Sequence, residues 1–219
     1  QACRLPYGLL VNGSLAELGD VSYLLSPQDL MGLELVPQLI AAGVRSFKIE
    51  GRLKGPEYVA TTTAAYREAI DTAWRARGAS ADEQRLPAAR TAELVPQLAQ
   101  IFARAQDGVH GGLTPGFLEG PRHQRLVRGR SPGHRGVLAG EVVRLDRGAR
   151  GEVQPVVRLA TALKPGDGVA FDVGTRKLGL DEAGGRIYEV TDAATGAALT
   201  SSGGGFENVF GREAAPGLA

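Results

Sequence analysis

The sequence predicts an α/β fold followed by a small β domain, and three observations carry that prediction. Twice a short apolar run gives way to a proline-opened helix, at residues 21–25 before Ser26-Pro27 and at residues 44–50 before Gly55-Pro56. A helical period then places Val59, Thr63, Tyr66, Ile70 and Trp74 on one face. Beyond Gly136 the pattern changes to short valine-rich segments between glycine turns. Residues 1–78 therefore read as the closing β/α units of a barrel, 79–135 as a linker helix with a basic loop, and 136–219 as a small β-barrel-like domain with a flexible tail.

Taken in order, residues 21–25 form a buried strand, and Ser26-Pro27-Gln28-Asp29 supplies an N-cap, a first-turn proline and an early carboxylate. Backbone N–H groups at such a helix start suit an anion, although capping alone accounts for Ser26 and Asp29. Pro37 restarts the helix, because an interior proline costs about 3 kcal/mol. Gly43 stops it. In the next strand Lys48, Glu50, Arg52 and Lys54 alternate on one side, with Phe47, Ile49 and Leu53 on the other. Ionisable groups at the carboxyl end of a strand feeding a helix are where α/β folds keep their chemistry, which makes Glu50, Lys48 and Arg52 the catalytic candidates. Glu50 can serve as acid, as base or as partner of Arg52; a purely structural ion-pair ladder is the alternative for the whole set. The helix from Pro56 ends at Gly78, and its spacing makes Tyr58, Tyr66 and Trp74 packing residues rather than a base-stacking platform.

From residue 79 to 89 the chain is polar and alanine-rich, as an interdomain linker would be. Thr91 caps a helix through Arg104 whose apolar face holds Leu94, Leu98, Ile101 and Phe102, and residues 107–112 break all regularity. Arg122, His123, Arg125, Arg128, Arg130, His134 and Arg135 then occur with no acid among them. Such a patch suits RNA phosphates, but it lacks an aromatic to stack a base, so a solvated or interdomain-pairing segment is the competing reading. Strands are expected at 137–145, 153–159, 168–173 and 186–190. Lys164-Pro-Gly-Asp-Gly168 is a tight turn of the kind found in small translation-factor barrels, an analogy of fold only.

Composition narrows the function classes. The chain has 219 residues, is 43% apolar and has a net charge of +1. It can furnish a core, contains no membrane-length apolar run, and has no bulk attraction for nucleic acid or membrane. Of its 25 basic residues 21 are arginine, and its single cysteine excludes an internal disulfide framework. Nucleotide-binding glycine motifs, serine-hydrolase elbows and zinc-protease helices are absent, and His123 and His134 have no partner at metal spacing.

Cys3-Arg-Leu-Pro-Tyr7, Tyr23-Leu-Leu-Ser-Pro-Gln-Asp-Leu30, the stretch from Val44 through Ala60, and Tyr66-Arg-Glu-Ala-Ile-Asp71 follow one another in that order. This ordered set resembles the collagenase-like peptidase family U thirty-two, and Gly116-Phe-Leu-Glu-Gly120 and His134-Arg-Gly-Val137 are similar to its downstream portion. The resemblance implies that the chain is a C-terminal fragment preceded by the rest of a TIM-like barrel. It also implies that the intact protein holds an iron–sulfur cluster, with Cys3 one ligand and the others upstream, whereas this chain alone holds none. An iron–sulfur hydroxylase of tRNA or rRNA bases is the function it favours. Substrate would then be held by Arg4, Tyr7, Ser26, Asp29, Arg125, Arg128 and Arg130. A collagenase-like peptidase acting on a peptide and a non-catalytic RNA-binding fragment are the alternatives. The isolated chain is expected to be inactive, and the protein to be soluble and intracellular, in cytoplasm or an organelle stroma.

Overall fold

The computed structural model describes residues 1–106, 111–148, 151–172 and 183–199, together with the backbone of 207–210. It divides into two units, Gln1–Val137 and Leu138–Ala219. Among the described residues no helix is long and apolar enough to cross a membrane.

The first unit begins with a 3-10 turn, Ala2–Arg4, and a two-rung hairpin of β1 (Leu10–Val11) and β2 (Ser14–Leu15). The expected strand at residues 21–25 does not form. Ser22 and Tyr23 instead donate their backbone N–H groups to the Gly129 carbonyl at 2.9 and 2.8 Å. Gly129 has a left-handed backbone with φ +74, and a Cβ there would lie 2.7 Å from Val21 Cγ1, so only glycine admits this approach. The helix start expected at Ser26-Pro27 is also absent. Pro27 bridges Val127, and β3 (Asp29–Leu30) pairs in parallel with β4 (Leu113–Thr114). Asp29 thus sits in a strand, where its carboxylate is free to meet a distant cation instead of capping a helix.

Helix α1 (Val36–Ala41) is entered through a 3-10 turn and carries Pro37 in its first turn, as the chemistry of proline requires. Gly43, at φ +90, stops it. The expected strand at 44–50 is not formed either. Exposure does alternate there, with Lys48 and Glu50 outside and Phe47 and Ile49 half-buried. Among the described residues, however, nothing pairs with the backbone of Arg45 through Glu50.

Helix α2 (Pro56–Arg75) begins where the proline predicts, and Gly78 follows its end at φ +87. Its buried face is turned from the expected one. Thr62, Ala65, Ala69 and Ala73 are buried, whereas Val59 and Trp74 are 44% and 54% exposed. Small residues let α2 approach α3 (Ala88–Ile101) and α1, so the core is a layer of alanines against Leu33, Val36, Leu94 and Leu98. Helix α3 starts three residues before Thr91, and Leu86, within the expected linker, packs on this core.

The second unit is antiparallel. Strands β5 (Gly140–Arg147), β6 (Val153–Leu159), β9 (Val190–Asp192), β10 (Ala198–Leu199) and β11 (Glu207–Phe210) form one sheet in the order β10-β9-β11-β6-β5. β7 (Gly168–Ala170) pairs separately with β8 (Gly184–Arg186). The expected strand at 186–190 is split, because Ile187 turns inward between β8 and β9 to join Val157, Leu159, Leu163 and Val190 in the core. Part of the tail expected to be flexible is instead the central strand β11. Val173, the end of another expected strand, lies outside the described residues.

Candidate functional site

Asp29 anchors the site. Its own N–H donates to the Gly112 carbonyl at 3.1 Å, and its carboxylate faces Arg104, 75 residues away. Arg104 gives it the backbone N–H at 2.8 Å, Nε at 3.1 and 3.0 Å, and Nη2 at 2.5 Å. Each side chain is only about a fifth exposed, at 23% for Arg104 and 19% for Asp29. Charge-assisted, forked contacts of this kind are the strong class of hydrogen bond. Gly112 makes the approach possible: its φ is +76, and a Cβ would collide with the Arg104 carbonyl.

Arg104 is placed by the end of α3. Phe102 leaves the helix in an extended conformation, with φ −169 and ψ 115, and Arg104 forms a backbone bridge with His134. The Phe102 ring becomes the floor of the site. His134 stacks on it at 5.5 Å and 23°, Tyr58 meets it edge-on at 6.1 Å, and Lys54 Nζ stands over it. Burial beside these rings pulls the Lys54 ammonium below the ordinary lysine range. Asp29 opposes that shift, and Arg104 and Arg4 reinforce it. Burial, with Asp29 and Glu50 nearby, pushes the Tyr58 phenol up.

Two short segments close the cluster. The turn Ala2–Arg4 brings the charge of Arg4 to Lys54 and the Cys3 side chain toward Arg104, and Tyr7 holds the turn by donating its hydroxyl to the Ala2 carbonyl at 2.7 Å. On the other side, Glu50 accepts the Arg52 N–H at 2.9 Å, and Lys54 N–H bonds the Gly51 carbonyl at 3.0 Å. Leu53, between them, holds a left-handed backbone at φ +63 and is 94% exposed. A non-glycine residue in that region stores strain, and such strain concentrates at functional loops.

The structure therefore brings Asp29, Glu50, Cys3, Arg4 and Tyr7 to one place. Lys48 and Arg52 are exposed on the same loop. The remaining candidates lie apart, where residues 126–130 run antiparallel beside 22–28. Ser26 is buried, Arg130 Nε pairs with Asp20 at 2.5 Å, and Arg125 is exposed on a 3-10 turn. Arg128 has a buried Nε without a hydrogen-bond partner among the described residues. Sequence reasoning missed Arg104, Phe102 and Tyr58 as site residues, and Lys54 was read only as part of the alternating set. Its one available signal was the Phe102-Ala103-Arg104 stretch trailing off an apolar helix face.

Chemically, the cluster can receive an anionic group at Arg4 and Lys54, and can move a proton through Glu50, Tyr58 or Lys54. Among the described residues no three His, Cys, Asp or Glu side chains are grouped to hold a metal ion. Cys3 is half-buried and free, and one thiolate does not meet the roughly four that an iron–sulfur cluster needs. The donor set of this chain alone does not fit the cluster.

The comparisons with known proteins converge on one family. The 23S rRNA 5-hydroxycytidine synthase of Escherichia coli is 36% identical over 148 residues, covering 67% of this chain and 21% of that protein. The tRNA hydroxylation protein P of Haemophilus influenzae is 30% identical over 178 residues, covering 80% of this chain and 35% of that protein. A collagenase of Porphyromonas gingivalis is 44% identical over 72 residues, covering 32% of this chain and 17% of that protein. The chain thus spans only about a fifth to a third of the length of these relatives. No solved structure matches it. The sequence profile described as Peptidase family U32 matches residues 1–128, which take in every member of the cluster except His134, and on that match the chain belongs to Peptidase family U32.

Proposed function

We propose that the intact protein hydroxylates bases of tRNA or rRNA, with an iron–sulfur cluster to which this chain contributes Cys3 and a longer barrel contributes the other thiolates. The observation that carries this reading is the extent of the alignments. Two relatives named for rRNA and tRNA hydroxylation align along 67% and 80% of the chain; the collagenase aligns along 32%, as does a tRNA hydroxylation protein P1 of Bacillus subtilis. Glu50, Lys48 and Arg52 are the catalytic candidates, with Lys54 and Tyr58 beside them. Among the substrate-binding candidates Arg4 and Arg125 are the exposed cations, and Asp29 with Arg104 braces the floor beneath the substrate. The unpaired backbone of Arg45 through Glu50, with its alternating exposure, fits a barrel strand that takes its ladder partners from elsewhere in the longer protein. Bound, the cluster would supply one-electron chemistry.

The test uses the intact protein purified anaerobically, with iron, sulfide and hydroxylated nucleosides in its RNA measured together. Hydroxylation that disappears in Cys3→Ala along with the iron, and in Glu50→Gln with the melting temperature unchanged, is the expected result. An iron-free protein that cleaves peptides would install the peptidase reading in its place.

A further inference from the structure

Trp74 is the chain's single tryptophan. It is 54% exposed on α2 while the helix packs through Ala65, Ala69 and Ala73, each four residues apart, so the indole does little for the core. The half-exposed indole offers solvent an amphipathic ring with an apolar body and an N–H donor. The Arg77 guanidinium carbon lies 3.8 Å from the centroid of the indole, which leaves the rest of the ring open. Arg75, whose Nε bonds the Asp71 carbonyl at 3.1 Å, adjoins Trp74, and Arg67 lies on the same stripe about two turns back along the helix. Two acids are interleaved with them, Asp71, paired with Arg67 at 2.6 Å, and Glu68, paired with Arg90 at 2.9 Å, which leaves the surplus charge to Arg75 and Arg77. The combination of open π-face, stacked guanidinium and excess positive charge complements an anionic chain that carries planar bases, and mismatches an apolar protein segment.

We propose that Trp74 and Arg77 form a stacking platform for an unpaired nucleotide base, with Arg67 and Arg75 meeting the flanking phosphates. This rests on the RNA reading above and adds to it a contact surface outside the Asp29–Arg104 cluster.

A short fluorescein-labelled oligouridylate titrated with the chain at low salt tests the platform through the anisotropy of the label. The expected result is binding that fades as salt is raised, weakened about tenfold in Trp74→Ala and largely kept in Trp74→Phe. Circular dichroism should be unchanged in both variants, since the side chain is surface-borne. Equal affinity of Trp74→Ala and the parent chain would overturn the platform while leaving the RNA reading intact. Absence of any oligouridylate binding by the parent chain would overturn the platform too, and hydroxylation by the intact protein would still decide the reading on which it rests.

Discussion

In the first unit long-range contacts combine isolated backbone bridges with side-chain bonds; in the second they are carried by continuous backbone ladders. Asp29 reaches Arg104 across 75 residues, Arg130 reaches Asp20 across 110, and the Tyr66 hydroxyl accepts the Gly32 N–H at 2.8 Å. Residues 140–159, by contrast, form a seven-pair register with a single irregularity between Val142 and Arg144, over a core of Val157, Leu159, Ile187 and Val190. A ladder satisfies backbone groups and needs little from particular side chains. Loops fixed by half-buried charges need particular side chains, and those side chains line the candidate site. The difference teaches that the first unit has given up self-sufficient secondary structure for polar positions that chemistry can use.

The sharpest way to break this comparison is Asp29→Ala. It strands Arg104, under a quarter exposed, and removes the bonds that fix the end of α3. The expected cost is about 3 kcal/mol in a urea titration, at the low end for breaking a buried pair because both groups keep some solvent. Asp29→Asn, which keeps one acceptor for the Arg104 N–H, should cost less. A loss below about 1 kcal/mol would mean that the first unit does not depend on this pair.

How far this division was legible in the sequence depends on the range of the interaction. Helix α2 was legible from Pro56, because a proline at the first turn and a 3.6-residue period are local facts. Its burial was not: alanines carry a weak hydrophobic signal, so Trp74 and Val59 drew the predicted face away from Ala65, Ala69 and Ala73. The strand at 153–159 was legible because β-branched runs need no distant information. Residues 21–25 and 44–50 had the composition of strands and lack ladders, since pairing depends on a partner and composition does not name one. The site was half legible. Glu50 and Lys54 share one charged stretch, whereas Arg104, Phe102 and His134 join them through tertiary contacts that no spacing records.

Tyr66→Phe should have a smaller effect with a distinctive pH signature. Losing the hydroxyl leaves the buried Gly32 N–H unpaired, at about 1–2 kcal/mol near neutrality. Burial raises the Tyr66 phenol, against the pull of the Gly32 N–H. The folded chain therefore keeps this proton after the unfolded chain has lost it. The resulting stability is complete below the ordinary phenol value of about 10 and is lost as pH rises through the folded one. Tyr58, also raised, steepens that fall; Lys54, lowered by burial, contributes in the opposite sense as pH rises toward the ordinary lysine value. Urea midpoints measured from pH 9 to pH 11 should decline less steeply in Tyr66→Phe. Parallel curves would show that the phenol is as solvated when folded as when unfolded.

The smallest effect is expected where the second unit carries its own ion pair. Arg158 faces Glu141 across the β5–β6 ladder at 3.5 Å, with the two side chains 60% and 78% exposed. Water screens both charges, and the register is held by the backbone on either side of Arg158 and by the burial of Val157 and Leu159. Arg158→Thr keeps a residue suited to a strand while deleting the charge, so the urea midpoint should move by less than about 0.5 kcal/mol equivalent, and raising the salt should not change that. A loss as large as that of Asp29→Ala would mean that side-chain charge holds both units, and the contrast between ladder and cluster would no longer separate the part built for stability from the part that carries the site.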